Sequence, residues 1–437
     1  MTTHHIEMAT LLRKCCGLMQ LVHRRTFAYK PVKRPSLIKE GGKSSRSEPN
    51  AESLDLATIL QTKIKAAGPI SLADYMRNVL TNPNGGYYME RDVFGEGGDF
   101  ITSPEVAQIF GELIAVWCLT EWRKIGSPSP VQLIELGPGR GTLSRDILRV
   151  FSQFKLGDQF SLHLVEVSPY LSKVQAQQLC FNHSEVDPES NEPFYRQGET
   201  VSGAKVFWYH KLEDVPKEFS IVLAHEFFDA LPVHKMQYDK GLWREVMVDV
   251  DPSEEKKFRF VLSNNQTVMS KVFQPLEGES RETLEYSLEA DAIIQRLAHW
   301  FEFHGGFALI IDYGHLGDKS DTFRAFKQHK LHDPLLNPGA ADLTADVDFK
   351  RLKFVAEANG CLTFGPVSQQ EFLKRMEAEA RLKVLLEKAQ PEAHEALKSG
   401  YDMLTHPDKM GSRFKFLSIF PQVLKEHLKK FPVNGFS

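Results

Sequence analysis

Few cysteines, no long apolar run and a basic stretch without acids set the first limits on this sequence. The five cysteines, Cys15, Cys16, Cys118, Cys180 and Cys361, include no C-x-x-C pair and none beside histidines at metal-ligand spacing. This excludes a disulfide framework and a structural zinc, and points to a reducing compartment without a metal. The best candidate for a membrane span, Ile109 to Trp122, is interrupted by Glu112 and Glu121. No membrane-spanning segment is expected. From Met8 to Lys39 there is no Asp or Glu but there are eight Lys or Arg, with Leu11, Leu12, Leu18, Leu21 and Val22 interleaved as on an amphipathic helix. That pattern predicts a mitochondrial transit peptide over residues 1–39, the alternative being a basic tail that touches a membrane or nucleic acid. The rest of the chain has a formal charge of −11. A body that acidic suits a basic partner and is a poor generic binder of nucleic acid.

A chain of 437 residues exceeds what one core usually organises, so a principal domain with a second lobe or large insertions is expected. Residues 40–53 are polar and read as a linker, and 54–130 as an N-terminal helical and lid region. Its glycine-dense loop, Gly85 to Ser103, ends where Ser103 is placed as N-cap, Pro104 as first helical residue and Glu105 in the first turn. Apolar strands at 131–136, 161–168, 205–209, 219–226 and 305–314 alternate with helical segments. Alternation predicts an α/β fold with a parallel sheet covered by helices on both faces, its first half spanning 131–231 and its second 301–345. Between them, 232–300 reads as an insertion with two antiparallel strands and a helix from Leu284 to Phe301. The region 346–437 reads as mostly helical.

The sharpest signal is VQLIELGPGRGTLSRDIL, Val131 to Leu148: a strand, a turn with Gly137, Gly139 and Gly141, then a helix. Such a turn brings backbone N–H groups and the positive helix end toward a ligand. The dinucleotide fingerprint asks for glycine or alanine at its sixth position, where Thr142 stands, and no Lys-Ser/Thr pair follows as in a Walker loop. What remains is E-x-G-x-G-x-G, with Glu135 two residues before the first glycine.

This resembles motif I of the class I S-adenosylmethionine-dependent methyltransferases. The resemblance implies S-adenosyl-L-methionine as cofactor, held by Glu135, Gly137, Pro138, Gly139, Gly141 and Thr142. It also implies an acid ending the second strand, Glu166, on the ribose hydroxyls, where a carboxylate accepts two hydrogen bonds. Seven blocks narrow it: GDFITSPE (98–105), ELGPGRGTLSRDILR (135–149), VEVSPYLSKVQ (165–175), AHEFFDALPVHK (224–235), DYGH (312–315), ADLTADVDF (341–349) and MGSRFKFL (410–417). They are similar, in this order, to those of the mitochondrial complex I assembly arginine methyltransferases and their bacterial relatives. That family implies a matrix enzyme that dimethylates, symmetrically, an arginine of a respiratory complex I core subunit. One departure is the missing glycine before Arg381.

Methyl transfer from a sulfonium is an in-line displacement, so the protein chiefly aligns the reacting atoms and excludes water. An arginine acceptor is held by carboxylates that orient its guanidinium. In class I folds the acceptor meets the loop after the fourth strand, here HEFFDALP, which makes His225, Glu226 and Asp229 catalytic candidates. Asp312 and Tyr313 end the next strand and complete the cleft. Asp342, Asp346 and Asp348 form a third acidic group, with Asp346 expected to cap a helix. Asp99 and Thr102 lie in the 85–103 loop, which reads as a cofactor or substrate lid. Rival readings are a methyltransferase of small molecules, and an assembly factor that keeps the fold without catalysis.

Overall fold

The computed structural model describes residues 55–89, 101–254 and 256–437. The expected transit peptide, the linker, Asp99 and most of the expected lid loop lie outside the described residues. Five parallel strands form the centre of the main sheet: β1 (Val131–Leu136), β2 (Phe160–Val165), β3 (Lys205–Tyr209), β4 (Ser220–His225) and β5 (Gly306–His315), side by side in the order β3-β2-β1-β4-β5. Successive side chains point to opposite faces, so Ile221 and Leu223 enter one core while Val222 and Ala224 enter the other. Helices α1 (Gln108–Lys124), α2 (Thr142–Gln153) and α3 (Pro169–Leu179) lie on the first face; α4 (Leu288–His304) and α5 (Phe349–Ala358) lie on the second.

The sheet is mixed rather than wholly parallel. In the region expected to be mostly helical, β6 (Cys361–Ser368) and β7 (Phe414–Pro421) continue it, β7 antiparallel to β5 and β6 antiparallel to β7. A hairpin of Asn182–Glu185 and Arg196–Glu199 adds antiparallel strands beyond β3. The misreading has a physical cause. In β7, Phe414, Phe416 and Phe420 pack into one core and Leu417 and Ile419 into the other. A strand buried on both faces is an apolar run without alternation, and periodicity alone does not separate it from a helix.

A second lobe is assembled from separated parts of the chain. Helices Leu56–Ala67 and Leu72–Thr81 pack with a five-stranded antiparallel sheet, Ile70–Ser71, His234–Asp239, Leu242–Val250, Phe258–Leu262 and Thr283–Tyr286. A small sheet of Arg324–Lys327, Lys330–His332 and Asp342–Thr344 joins the same core, where Leu60, Tyr75, Met76, Val248, Phe258 and Leu343 are buried. The helix expected over Leu284 to Phe301 starts later and runs on to His304. Thr283–Tyr286 pairs with His234–Gln237, and α4 starts after Ser287, whose hydroxyl accepts from the Ala290 amide at 3.2 Å. The helix start at 103 is also displaced by one residue. Thr102 is the N-cap, in a reciprocal capping box with Glu105, and extended Ala107 interrupts the chain before α1.

Helix α1 has almost no solvent face, as suits a helix apolar on all sides. The two acids that interrupt it are both buried and both matched. Glu121 receives Lys124 Nζ at 2.8 Å, while Glu112 receives Arg149 at 2.9 Å and Arg381 Nε at 2.8 Å. Arg381 and Glu112 are fully buried, so this pair ties the late helix Ala378–Lys388 to the helix behind the cofactor turn. Removing one partner of such a pair leaves a buried charge short of its partner. Arg381→Leu should therefore lower stability by about 3 kcal/mol, read as an earlier urea midpoint; an unchanged midpoint would assign the pair no stabilising role.

Candidate active site

The cofactor turn is built as the glycine spacing requires. Gly137, Gly139 and Gly141 have φ of 61°, 54° and 80°, a region that costs every residue with a Cβ. The Pro138 carbonyl accepts from the Gly141 amide at 2.7 Å, and Thr142 opens α2. Glu135 lies beneath this turn. Its carboxylate accepts from the Ser144 hydroxyl in the first turn of α2, and burial, opposed by Ser144, pushes its pKa up to about 7. Gly137, Gly139 and Glu166 face a cavity of about 1740 Å³ between the core and the second lobe, whereas Glu135 supports the turn from behind.

Glu166, one residue past β2, is buried in the cavity wall, and burial raises its pKa to about 7 against bonds from Ser168 and Gln175. One oxygen accepts from the Ser168 amide at 2.7 Å and the other from Gln175 Nε2 at 2.9 Å. Each oxygen keeps a second lone pair. Gln175 also donates to the Gly139 carbonyl at 2.7 Å and accepts from Trp208 Nε1 at 2.9 Å. One fully buried amide thus fixes the turn against Glu166. Sequence reasoning missed it, because a glutamine four residues from a helix end carries no signal until the helix is placed.

Across the cavity, the loop after β4 is held by a single carboxylate. Asp312, wholly buried in β5, accepts through Oδ2 from the amides of Phe227, Phe228 and Asp229 at 3.1, 3.0 and 3.3 Å, and through Oδ1 from Tyr313 N at 2.9 Å. Burial and the neighbouring Asp229 and Glu226 carboxylates raise its pKa, and the amides oppose them. The loop is a nest of consecutive amides, with Glu226 left-handed at φ 49°. Glu226, Asp229 and Tyr313 line the cavity; Asp312 and His225 stand behind it. His225 lies between Phe110 and Phe414, and burial lowers its pKa to about 3, so it is neutral.

Two acids therefore share one wall. Glu226 Oε1 accepts from the Ser103 amide at 3.3 Å; burial, then the charge of Asp229, hold its pKa well above the carboxylate range. Burial also raises Asp229. Its Oδ2 accepts from the Tyr313 hydroxyl and from Thr344 Oγ1 at 2.8 Å, while Oδ1 is buried without a hydrogen-bond partner among the described residues. Asp342 lines the cavity and accepts from the Tyr88 hydroxyl at 2.8 Å. Asp348, not Asp346, caps α5, accepting from Arg351 N at 3.1 Å. Asp346 is instead paired with Arg324 at 2.7 Å and Lys319 at 2.9 Å, which hold its pKa low although burial works the other way. The strand Val347–Asp348, parallel to β5, moves the helix start two residues on. Thr102 is committed to its capping box, so its side chain serves a helix start.

Residues 113–367 match the model of a family described as "Putative S-adenosyl-L-methionine-dependent methyltransferase". The chain is 56% identical over 432 residues to the mitochondrial protein arginine methyltransferase NDUFAF7 homolog of Drosophila melanogaster, covering 96% of this chain and 99% of that one. It is 50% identical over 368 residues to human mitochondrial NDUFAF7, covering 83% and 82%. The chain belongs to this methyltransferase family. The enzyme is thus an S-adenosylmethionine-dependent methyltransferase of mitochondria, as its residues suggested. A Burkholderia thailandensis protein crystallised with S-adenosyl-homocysteine shares its fold, with a TM-score of 0.68 and 22% identity over 87% of this chain and 96% of that one.

The chain's own residues fit that cofactor. The turn presents backbone without side chains, and Glu166 offers free lone pairs at the cavity wall. A Cβ on Gly137 would meet Phe227 Cδ2 at 2.7 Å, at a positive φ. Gly137→Val should therefore displace Phe227 and the turn together, and calorimetry should show at least about a tenfold loss of S-adenosylmethionine affinity, worth ~1.4 kcal/mol. Unchanged affinity would show that the turn does not meet the cofactor.

Proposed function

We propose that the enzyme methylates a protein arginine in the mitochondrial matrix, and that the acceptor belongs to a core subunit of respiratory complex I, dimethylated symmetrically. The supporting names are those of its relatives, protein arginine methyltransferases called NDUFAF7. In this reading residues 1–39 are the import sequence. The observation that carries the acceptor class is the buried, unpartnered Asp229 Oδ1 in a wall shared with Glu226. An unpaired buried oxygen is costly, and a guanidinium N–H relieves that cost with a charge-assisted bond. The cavity also exceeds the ~300–1,000 Å³ of small-ligand pockets, leaving room for a segment of protein beside the cofactor.

S-adenosylmethionine, when bound, supplies an electrophilic methyl group. The protein does the rest. Gly137, Gly139 and Glu166 would hold the cofactor from one side, Glu166 at the ribose hydroxyls. From the other, Asp229 Oδ1 orients the guanidinium, and Glu226, with its raised pKa, accepts the proton that the attacking nitrogen must lose. Phe227 separates the acid wall from the Gly137 turn and keeps water from the reacting atoms. His225 and Asp312 act from behind, as packing and as loop support.

Glu226→Gln and Asp229→Asn keep shape and remove charge. Each should cost on the order of 1.5–3 kcal/mol of acceptor binding and transfer, while calorimetry finds S-adenosylmethionine affinity nearly unchanged. The assay is transfer of labelled methyl to arginine in mitochondrial proteins from cells lacking the enzyme; full methylation by both variants would reduce this loop to scaffold. Cofactor binding should itself depend on pH. Only ionised Glu166 accepts from both ribose hydroxyls, and its pKa is raised to about 7. Affinity should then be full above pH 8 and weaken as pH falls through about 7, and Glu166→Gln should be weak and flat across that range. A wild-type affinity independent of pH from 6 to 8 would exclude this role for Glu166.

A further inference from the structure

The geometry points to Thr344 as a positioning residue that aims Asp229 at the acceptor. This rests on the acceptor assignment above. Thr344 is fully buried on the strand Asp342–Thr344, at the edge of the small sheet in the second lobe. Its hydroxyl donates to Asp229 Oδ2 at 2.8 Å, on the oxygen that also receives the Tyr313 hydroxyl, and the two hydroxyls are in contact with each other. The next residue fixes the backbone as well, with the Ala345 amide donating to the Asp229 carbonyl at 3.1 Å. With both hydroxyls clustered on Oδ2, the carboxylate is held in the rotation in which Oδ1 has no partner among the described residues. Arg324, on the neighbouring strand of the same sheet, lies 5.4 Å from the centre of the Tyr313 ring and is anchored by Asp346. The accessory lobe, through Thr344, therefore joins Tyr313 of the core strand β5 in setting the direction of the acid that meets the substrate.

Removing the hydroxyl has two consequences. Asp229 gains rotational freedom, and its ionised form loses a hydrogen bond, so its carboxyl rises further above the ordinary range. The titratable and charged groups around it are Tyr88, Glu226, Asp312, Tyr313, Arg324 and Asp342. All of them remain in Thr344→Val, so a moved pH profile reports the loss of the hydroxyl from its cluster with Asp229 and Tyr313.

The test compares full-length wild type, Thr344→Val and Thr344→Ser. It follows label from S-adenosylmethionine into arginine of mitochondrial proteins from cells lacking the enzyme. Thr344→Val should bind S-adenosylmethionine as the wild type does, which shows that it folds. It should transfer methyl about ten- to a hundredfold more slowly, the scale of one charge-assisted hydrogen bond. The acid limb of its pH–rate profile should move to higher pH, and Thr344→Ser should regain most of the rate and the original limb. A Thr344→Val enzyme with wild-type rate and profile would overturn this inference alone. So would a slow Thr344→Val enzyme whose limb does not move and which serine does not rescue, because packing alone would then explain the loss. A wild type that labels no arginine would overturn the acceptor assignment, and this inference with it.

Discussion

The site depends on one carboxylate that does not line the cavity. Asp312 gathers three successive amides of the loop after β4, and through them decides where Glu226 and Asp229 stand. Without it, Glu226 would have no reason to remain left-handed, and the buried amides would be unpaired. The parallel pairing of β4 with β5 makes this possible, because it brings Asp312 beside the loop that follows the neighbouring strand. A strand-end acid is common turn chemistry; here the turn it organises carries both cavity acids.

The opposite wall follows the same logic with an amide in place of an acid. Gln175 joins Gly139, Glu166 and Trp208, so the glycine turn, the cavity acid Glu166 and the next strand are tied together. Glu135 holds the helix start beneath them through Ser144. On both sides of the cavity, then, the groups facing inward are fixed by buried polar groups that do not face it. Such preorganisation lets a site work without reorganising when its ligands arrive.

The second lobe is more than a cover. Tyr88 and Asp342 line the cavity from it, and Thr344 binds an acid of the core loop directly. Ser168, at the start of α3, donates to the Tyr88 carbonyl at 2.6 Å, which ties the lobe to the cofactor side as well. An acid wall completed by two lobes is sensitive to how they dock, and the segment ending at Ser103, whose amide binds Glu226, adds a third point of control.

The sequence by itself determined what depends on neighbours along the chain. The parallel strands and the glycine turn that opens a helix were legible because strand patterning and turn chemistry are local, and the motif they form resembled that of the cofactor's family. The family was legible because seven short blocks keep their order. The tertiary structure alone decided what depends on partners far away in sequence. That β6 and β7 join the sheet is set by pairing with β5, and an apolar run does not reveal its partner. Glu135 and Asp312 support the site from behind because burial and hydrogen bonding, not residue type, choose between lining a cavity and holding its wall. Asp348 takes the cap expected of Asp346 because Arg324 and Lys319 claim Asp346 and a short strand delays the helix to Asp348. The direction of Asp229 is fixed by Thr344, more than a hundred residues away, and only the closed fold brings that hydroxyl within reach.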